Sequence, residues 1–324
     1  MIDAYGRKID YLRISVTDRC NFRCQYCMPE EGIELRKHDE MLTFDEITRI
    51  VRIMSSIGIR KIKLTGGEPL VRKGVHSLVE DIRKIDGIKD ITMTTNGYLL
   101  EDEIDKLVEK GLTGINISLD TLEDTLFKNI TRVDGLERVL RGIKKTKDYK
   151  ELNVKVNCVP LGLEEQDLKS IALLAKEDKI HVRFIEMMPI GLGKKYMFTS
   201  EAEIIKELEP EIGEFKPYKN KLGNGPSHYY EIEGFKGKIG FISALSHKFC
   251  HECNRIRLTS TGYLKTCLQY DIGVDLRTLL RNGSSDEEIL KAIEAAILSK
   301  PMEHNFLNSS IDNEEQNGMS RIGG

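Results

Sequence analysis

Three cysteines, Cys20, Cys24 and Cys27, crowd into one loop with the spacing C-x3-C-x2-C, directly after an apolar run that reads as a strand. Pairing two of them as a disulfide leaves the third over, and so short a span does not suit a mutual staple. Structural zinc asks for four ligands, commonly as two close pairs, which this is not. A four-iron cluster takes cysteine thiolates, and one held by three of them keeps an iron open for a substrate or cofactor. The spacing therefore points to an iron–sulfur loop.

A second set lies far along the chain: Cys250, Cys253 and Cys267, spaced C-x2-C-x13-C. Here a zinc site completed by His247 or His251 stands beside a second cluster with an open iron. Arg255 and Arg257 follow at alternate positions, so a strand there would present both cations on one face. Thr65-Gly66-Gly67-Glu68-Pro69 forms a turn whose glycines permit close backbone approach and whose proline fixes the exit. The seventh cysteine, Cys158, falls on an apolar strand face and reads as core.

These groups need a scaffold. Apolar periodicity predicts strands at 11–16, 60–65, 90–95, 114–119, 153–159 and 181–186. Helices are expected between them at 43–57, 75–85, 101–110, 122–130, 136–147 and 164–176, the first opened by a capping box of Thr43 and Glu46. Such alternation argues for a parallel sheet with right-handed crossovers, either doubly wound or part of a barrel. The strand faces choose between them. Five strands each pair an apolar face with a polar one, whereas doubly wound strands are apolar on both. The fold class expected is therefore α/β, a partial (βα)6 TIM-type barrel, with Arg13, Lys63, Thr94, Ser118 and Lys155 turned into a wet lumen.

After 195 the rhythm changes. A short helix at 200–208, a Gly/Asn/Pro-rich link at 220–227 and short strands near 229–232, 238–243, 255–259 and 263–265 suggest a smaller α+β unit covering the open side of the barrel. The expected division is 1–195, 196–304 and a loosely ordered tail, 305–324, ending in Gly-Gly, with a helix near 286–299 before it.

At 324 residues the chain can bury a sizeable core, and 40% hydrophobic with 31% charged residues is ordinary for a soluble protein. A net charge of −3 argues against a nucleic-acid or membrane surface. No apolar run approaches the ~20 residues of a membrane span. The start lacks a secretion signal, and clustered cysteines fit a reducing compartment, so a cytoplasmic location is expected.

With Tyr26 immediately before its third cysteine, the first loop resembles that of the radical S-adenosylmethionine enzymes. The resemblance implies a 4Fe–4S cluster on Cys20, Cys24 and Cys27 whose open iron chelates S-adenosylmethionine, giving a 5′-deoxyadenosyl radical on reduction. It also implies cofactor contacts from Tyr26, Gly67, Glu68, Ser118 and Met188. Phe249-Cys250, Cys253-Asn254-Arg255, Arg257-Leu258-Thr259, Gly262-Tyr263-Leu264 and the final Ile322-Gly323-Gly324 resemble, more narrowly, the GTP 3′,8-cyclase family of molybdenum cofactor biosynthesis.

That narrower resemblance implies a lyase converting GTP to 3′,8-cyclo-7,8-dihydro-GTP. It places a second 4Fe–4S cluster on Cys250, Cys253 and Cys267, and GTP on Arg13, Lys63, Thr94, Lys155, Arg255, Ile256 and Arg257. Arg257, Gly323 and Gly324 would serve catalysis, the glycines by threading into a crowded site. Lys63 stands where arginine is expected in much of the family, keeping charge but losing the bidentate fork. The implied partners are an electron donor of the reductase or flavodoxin type, a following enzyme that forms cyclic pyranopterin monophosphate, and a second copy in a homodimer. A radical enzyme acting on a peptide, and a binding module with two structural metal sites, are the competing readings. GTP binding against a peptide panel separates the first, and metal with acid-labile sulfide analysis the second.

Overall fold

The computed structural model describes residues 1–306, Glu315 and 317–323. Its strand–helix units are β1 (Tyr11–Ser15), α1 (Phe44–Ser56), β2 (Lys61–Thr65), α2 (Val75–Arg83), β3 (Asp90–Thr95), α3 (Leu100–Glu109), β4 (Gly114–Ser118), α4 (Asp124–Thr131), α5 (Leu136–Thr146), β5 (Asn153–Cys158), α6 (Leu168–Glu177) and β6 (His181–Ile185). The α1 capping box forms as the sequence predicts. The Glu46 amide donates to Thr43 Oγ1 at 3.1 Å, and the Thr43 amide to Glu46 Oε2 at 2.7 Å. Such a cap contributes about 1 kcal/mol.

β1 to β6 pair in parallel in chain order, with each strand's apolar residues turned outward to the helices. Leu12, Ile14, Ile62, Leu64, Ile91, Met93, Ile115 and Ile117 are fully buried there against Ile47, Ile50 and Val51 of α1, Leu78 and Val79 of α2 and Ile104 and Leu107 of α3. Cys158 is buried in the same core. The polar residues are left to the inner face.

The rest of the chain comprises α7 (Glu201–Ile212), β7 (Lys216–Tyr218), β8 (His228–Glu231), β9 (Ile239–Ile242), β10 (Arg255–Leu258), β11 (Tyr263–Lys265), β12 (Gly273–Asp275), α8 (Leu276–Arg281), α9 (Asp286–Leu298) and α10 (Met319–Ile322). Its strands join the same sheet at both edges instead of stacking as a cover: β9 pairs in parallel with β6, and β10 in parallel with β1. Antiparallel β8–β7 and β11–β12 continue outward, giving a twelve-stranded open sheet in the order β12-β11-β10-β1-β2-β3-β4-β5-β6-β9-β8-β7. Strand pairing satisfies the edges that a partial barrel would otherwise expose.

The described part of the tail is packed, where its polar composition led to an expectation of looseness. Glu315, Ser320 and Ile322 are buried, because cavity walls and a buried lysine receive them. Gly324 and the rest of the expected tail lie outside the described residues. Among the described residues no helix is long and apolar enough to cross a membrane.

Candidate active site

A cavity of about 640 Å³ runs along the inner face of the sheet, a volume suited to small ligands. Strand direction places the two cysteine sets at its opposite ends. Cys20, Cys24 and Cys27 follow the C-terminal end of β1. Cys250 and Cys253 precede the N-terminal end of β10, parallel to β1, and antiparallel β11 carries Cys267 back to that same end. All six cysteines line the cavity.

At the first end, burial pushes the Cys20 thiol up to about 11, Cys27 to about 12 and Cys24 well above the ordinary range. Iron takes the thiolate, so a metal's positive charge would have to offset the burial that keeps these thiols neutral. Among the described residues no group of three or more His, Cys, Asp or Glu side chains is arranged to hold a metal ion directly. Three thiols converging on one cavity wall suit the wider reach of a cluster.

The glycine turn packs against this loop more tightly than a ligand-cradling role alone requires. A Cβ on Gly66 would stand 2.7 Å from the Thr17 carbonyl oxygen, and one on Gly67 2.4 Å from that of Arg19. The Gly67 and Glu68 amides donate to those same oxygens, each at 2.8 Å. Glu68 is buried, and its carboxylate accepts from the Leu70 amide, Thr95 Oγ1 and the Asn96 amide. Burial raises its pKa to about 7 in spite of these donors. Tyr26 donates from its hydroxyl to Asp120 Oδ2 at 2.8 Å, and burial lifts Asp120 to about 6. Gly67, Ser118 and Met188 also face the cavity.

The middle of the cavity is cationic because of the strand register. Arg257, Arg13 and Lys63 are direct partners across β10, β1 and β2, so their side chains stand in one row. Arg255, Lys155 and Thr94 face the same space, as expected from face parity. Burial, reinforced by Arg183 and Arg13, holds Lys63 well below the ordinary lysine range. Burial and Arg183 bring Lys155 down to about 7, and burial lowers Arg13 to about 10. Gathering cations away from water is unfavourable unless an anion joins them.

Two site residues deserve correction or addition. The Ile256 side chain, expected at the nucleotide, is fully buried in the core, because parity along β10 turns it opposite to Arg255 and Arg257. Arg183 was missed. It lines the cavity and donates to Asn157 Oδ1 from Nε at 2.9 Å and Nη2 at 2.6 Å. The signal was present, since Val182 and Phe184 alternate with it as apolar residues do in the other strands.

At the far end, burial acts to raise Cys253, but the charges of Arg255 and Lys300 outweigh it and bring this thiol down to about 6. Burial raises Cys250. His247 and His251 are exposed, with Glu201 and Glu252 at 4.0 and 3.8 Å, and among the described residues no metal-holding group includes either histidine. The tail approaches the row of cations: the Gly323 carbonyl accepts from Arg257 Nη1 at 2.8 Å and from Arg13 Nη2 at 3.5 Å.

Residues 14–175 match the family model described as Radical SAM superfamily, and residues 180–306 the one described as Molybdenum Cofactor Synthesis C. The chain is 47% identical over 325 residues to a protein of Clostridium perfringens (strain 13) named GTP 3′,8-cyclase, covering 100% of both. It is 46% identical over 327 residues to the GTP 3′,8-cyclase of Syntrophomonas wolfei, again covering 100% of both. Among solved structures, that of Streptococcus suis SuiB bound to S-adenosylmethionine superposes with a TM-score of 0.62 at 15% identity, over 90% of this chain and 68% of that one, a likeness of fold.

Proposed function

From the premise that the chain belongs to the GTP 3′,8-cyclase family of the radical S-adenosylmethionine superfamily, we propose how its residues share the work. The reaction is the cyclisation of GTP to 3′,8-cyclo-7,8-dihydro-GTP, the first step of molybdenum cofactor biosynthesis. Cys20, Cys24 and Cys27 hold the family's cluster. When bound, that cluster and S-adenosylmethionine supply hydrogen-atom abstraction from the substrate ribose. Tyr26, Gly67, Glu68, Ser118 and Met188 shape the pocket for the cofactor, with Asp120 orienting the Tyr26 ring through its hydroxyl.

The observation that carries the substrate assignment is the row Arg257, Arg13 and Lys63, with Lys155, Arg183 and Arg255 around it. A triphosphate supplies the charge that offsets so many desolvated cations. That is how a chain with net charge −3 takes an anionic substrate. Neutral peptide substrates would leave the row uncompensated. Thr94 and Asn116 add polar groups along the same wall.

Cys250, Cys253 and Cys267 would hold a second 4Fe–4S cluster, which would supply a binding point for the guanine. Arg255 and Lys300 favour thiolate character there. The work divides along the chain as 1–195 for cofactor and radical chemistry and 196–304 for the second cluster and much of the substrate. An external reductant, a following enzyme that takes the cyclised nucleotide, a homodimeric state and a cytoplasmic location complete the reading.

The deciding experiment is anaerobic reconstitution with iron and sulfide, then incubation with S-adenosylmethionine, dithionite and C3′-deuterated GTP. Deuterium should pass into 5′-deoxyadenosine in step with GTP loss; deoxyadenosine without label would sink the assignment. Arg257→Ala should cut GTP turnover by roughly a hundredfold or more, the loss expected for one buried charge-stabilising donor. Cofactor cleavage should persist in that variant, and a normal cyclisation rate would remove Arg257 from the site.

A pH effect follows from Lys155. Free, it loses its proton as pH rises through about 7; phosphate oxygens beside it raise that value in the complex. Nucleotide binding above pH 7 therefore takes up a proton, and affinity falls by up to about tenfold per pH unit across that window. Calorimetry in buffers of different ionisation enthalpy should register the uptake at pH 8 and much less at pH 6. Lys155→Met should reduce the difference, and what remains falls to Lys63, which burial and its cationic neighbours also hold well below the ordinary lysine range.

A further inference from the structure

The tail is fastened at a point remote from its last residues. Glu315 and Lys265 form an ion pair whose side chains are 2% and 1% exposed. Nothing in the cysteine chemistry or the row of cations uses them. Lys265 closes β11, two residues before Cys267, and Asp271 also faces it at 3.4 Å. The Glu315 amide donates to the Gln269 carbonyl at 2.7 Å, so both sides of Cys267 grip the same tail residue. Glu315 Oε1 accepts from the Asn317 amide at 2.7 Å and from Asn317 Nδ2 at 2.8 Å, which sets the direction of the chain as it leaves.

From there the tail crosses the cavity. Gly318 passes Gly191 so closely that a Cβ on Gly191 would stand 3.0 Å from the Gly318 Cα. Arg321 Nη2 donates to the Glu34 carbonyl at 3.1 Å, and Gly323 arrives at Arg257. Beyond Glu315 the described tail side chains form no other buried ion pair. A segment entering a site from one end needs one strong fixed point, and a buried, fully engaged charge pair provides it.

We propose that Lys265 and Glu315 are positioning residues for the cyclisation, an anchor that seats the C-terminal segment over the substrate cations. The proposal rests on the reading that this segment acts in the site. Glu315→Gln keeps the shape of the side chain but leaves Lys265 buried beside a neutral amide. Lys265→Met with Glu315→Leu replaces the pair by apolar groups that can pack in the same place.

The test uses the reconstituted full-length protein and two readouts. Trypsin cutting after Arg321 releases Ile-Gly-Gly, whose appearance by mass spectrometry reports undocking of the tail. Glu315→Gln should speed that release by about tenfold or more, the double variant restoring it to within about threefold of the parent. Barrel fragments appearing as fast as the tripeptide would mean general unfolding, so the double variant then carries the comparison. In turnover, Glu315→Gln should lower kcat for cyclisation by about tenfold with KM for GTP within threefold and cofactor cleavage retained, again restored in the double variant. Unchanged tripeptide release in Glu315→Gln overturns the anchor. Faster release with full cyclisation keeps the anchor and overturns the role of the tail in the site.

Discussion

Cys24→Ser should yield a folded protein that forms no measurable 5′-deoxyadenosine, a loss of more than about a thousandfold, since chemistry that a cofactor alone supplies has no residual protein route. The local fold should survive. The Cys24 carbonyl accepts from the Cys27 and Met28 amides, each at 2.9 Å, and these main-chain bonds hold the loop whichever side chain is present. Serine fits the space, but its oxygen is a poor ligand for iron–sulfur chemistry and keeps its proton in so buried a place. Iron and acid-labile sulfide should fall by about half if the second set loads independently. Deoxyadenosine at the parent rate from Cys24→Ser would remove the loop from the radical step.

Gly323→Ala should do the opposite, sparing deoxyadenosine while stopping the nucleotide chemistry. Gly323 has φ +76°, a region that costs an alanine about 1–2 kcal/mol. An added Cβ would also stand 2.8 Å from Thr65 Oγ1 and 3.2 Å from Ser15 Cβ. Neither neighbour can yield freely, because Thr65 Oγ1 donates to the Ile14 carbonyl and both residues belong to paired strands. The tail end must back away, withdrawing its carbonyl from Arg257. A displacement of about 1 Å at a reacting site can cost a hundredfold in rate, so GTP consumed per deoxyadenosine formed should fall by about that factor. A ratio equal to the parent's would show that the last residues only fill space.

Much of this was legible in the residues. Strand alternation by itself turns Arg13, Lys63 and Lys155 into one lumen, because a period of two is a local property. The spacing of Cys20, Cys24 and Cys27 is local in the same way, whereas that of Cys250, Cys253 and Cys267 leaves zinc and a cluster side by side. Arg183 is equally readable from the alternation of Val182 and Phe184 on the sixth strand. Other features had no local signature. That β10 pairs with β1, and β9 with β6, is decided by edges far apart in sequence. The tail reads as polar and loose until Lys265 is found buried beneath Glu315. Ile256 was carried into the site by resemblance against its own parity, and its burial shows parity to be the better guide to where its side chain goes.

The pairing of β10 with β1 also bears on how the protein is made. Tyr11 must wait for Arg255, its register partner, which a ribosome reaches only after most of the chain has emerged. At roughly 5–20 residues per second that wait exceeds about ten seconds. Throughout it, β1 offers an open hydrogen-bonding margin beside the apolar surface of Leu12 and Ile14. Slow translation before codon 255 should therefore lower soluble yield more than the same delay placed after it.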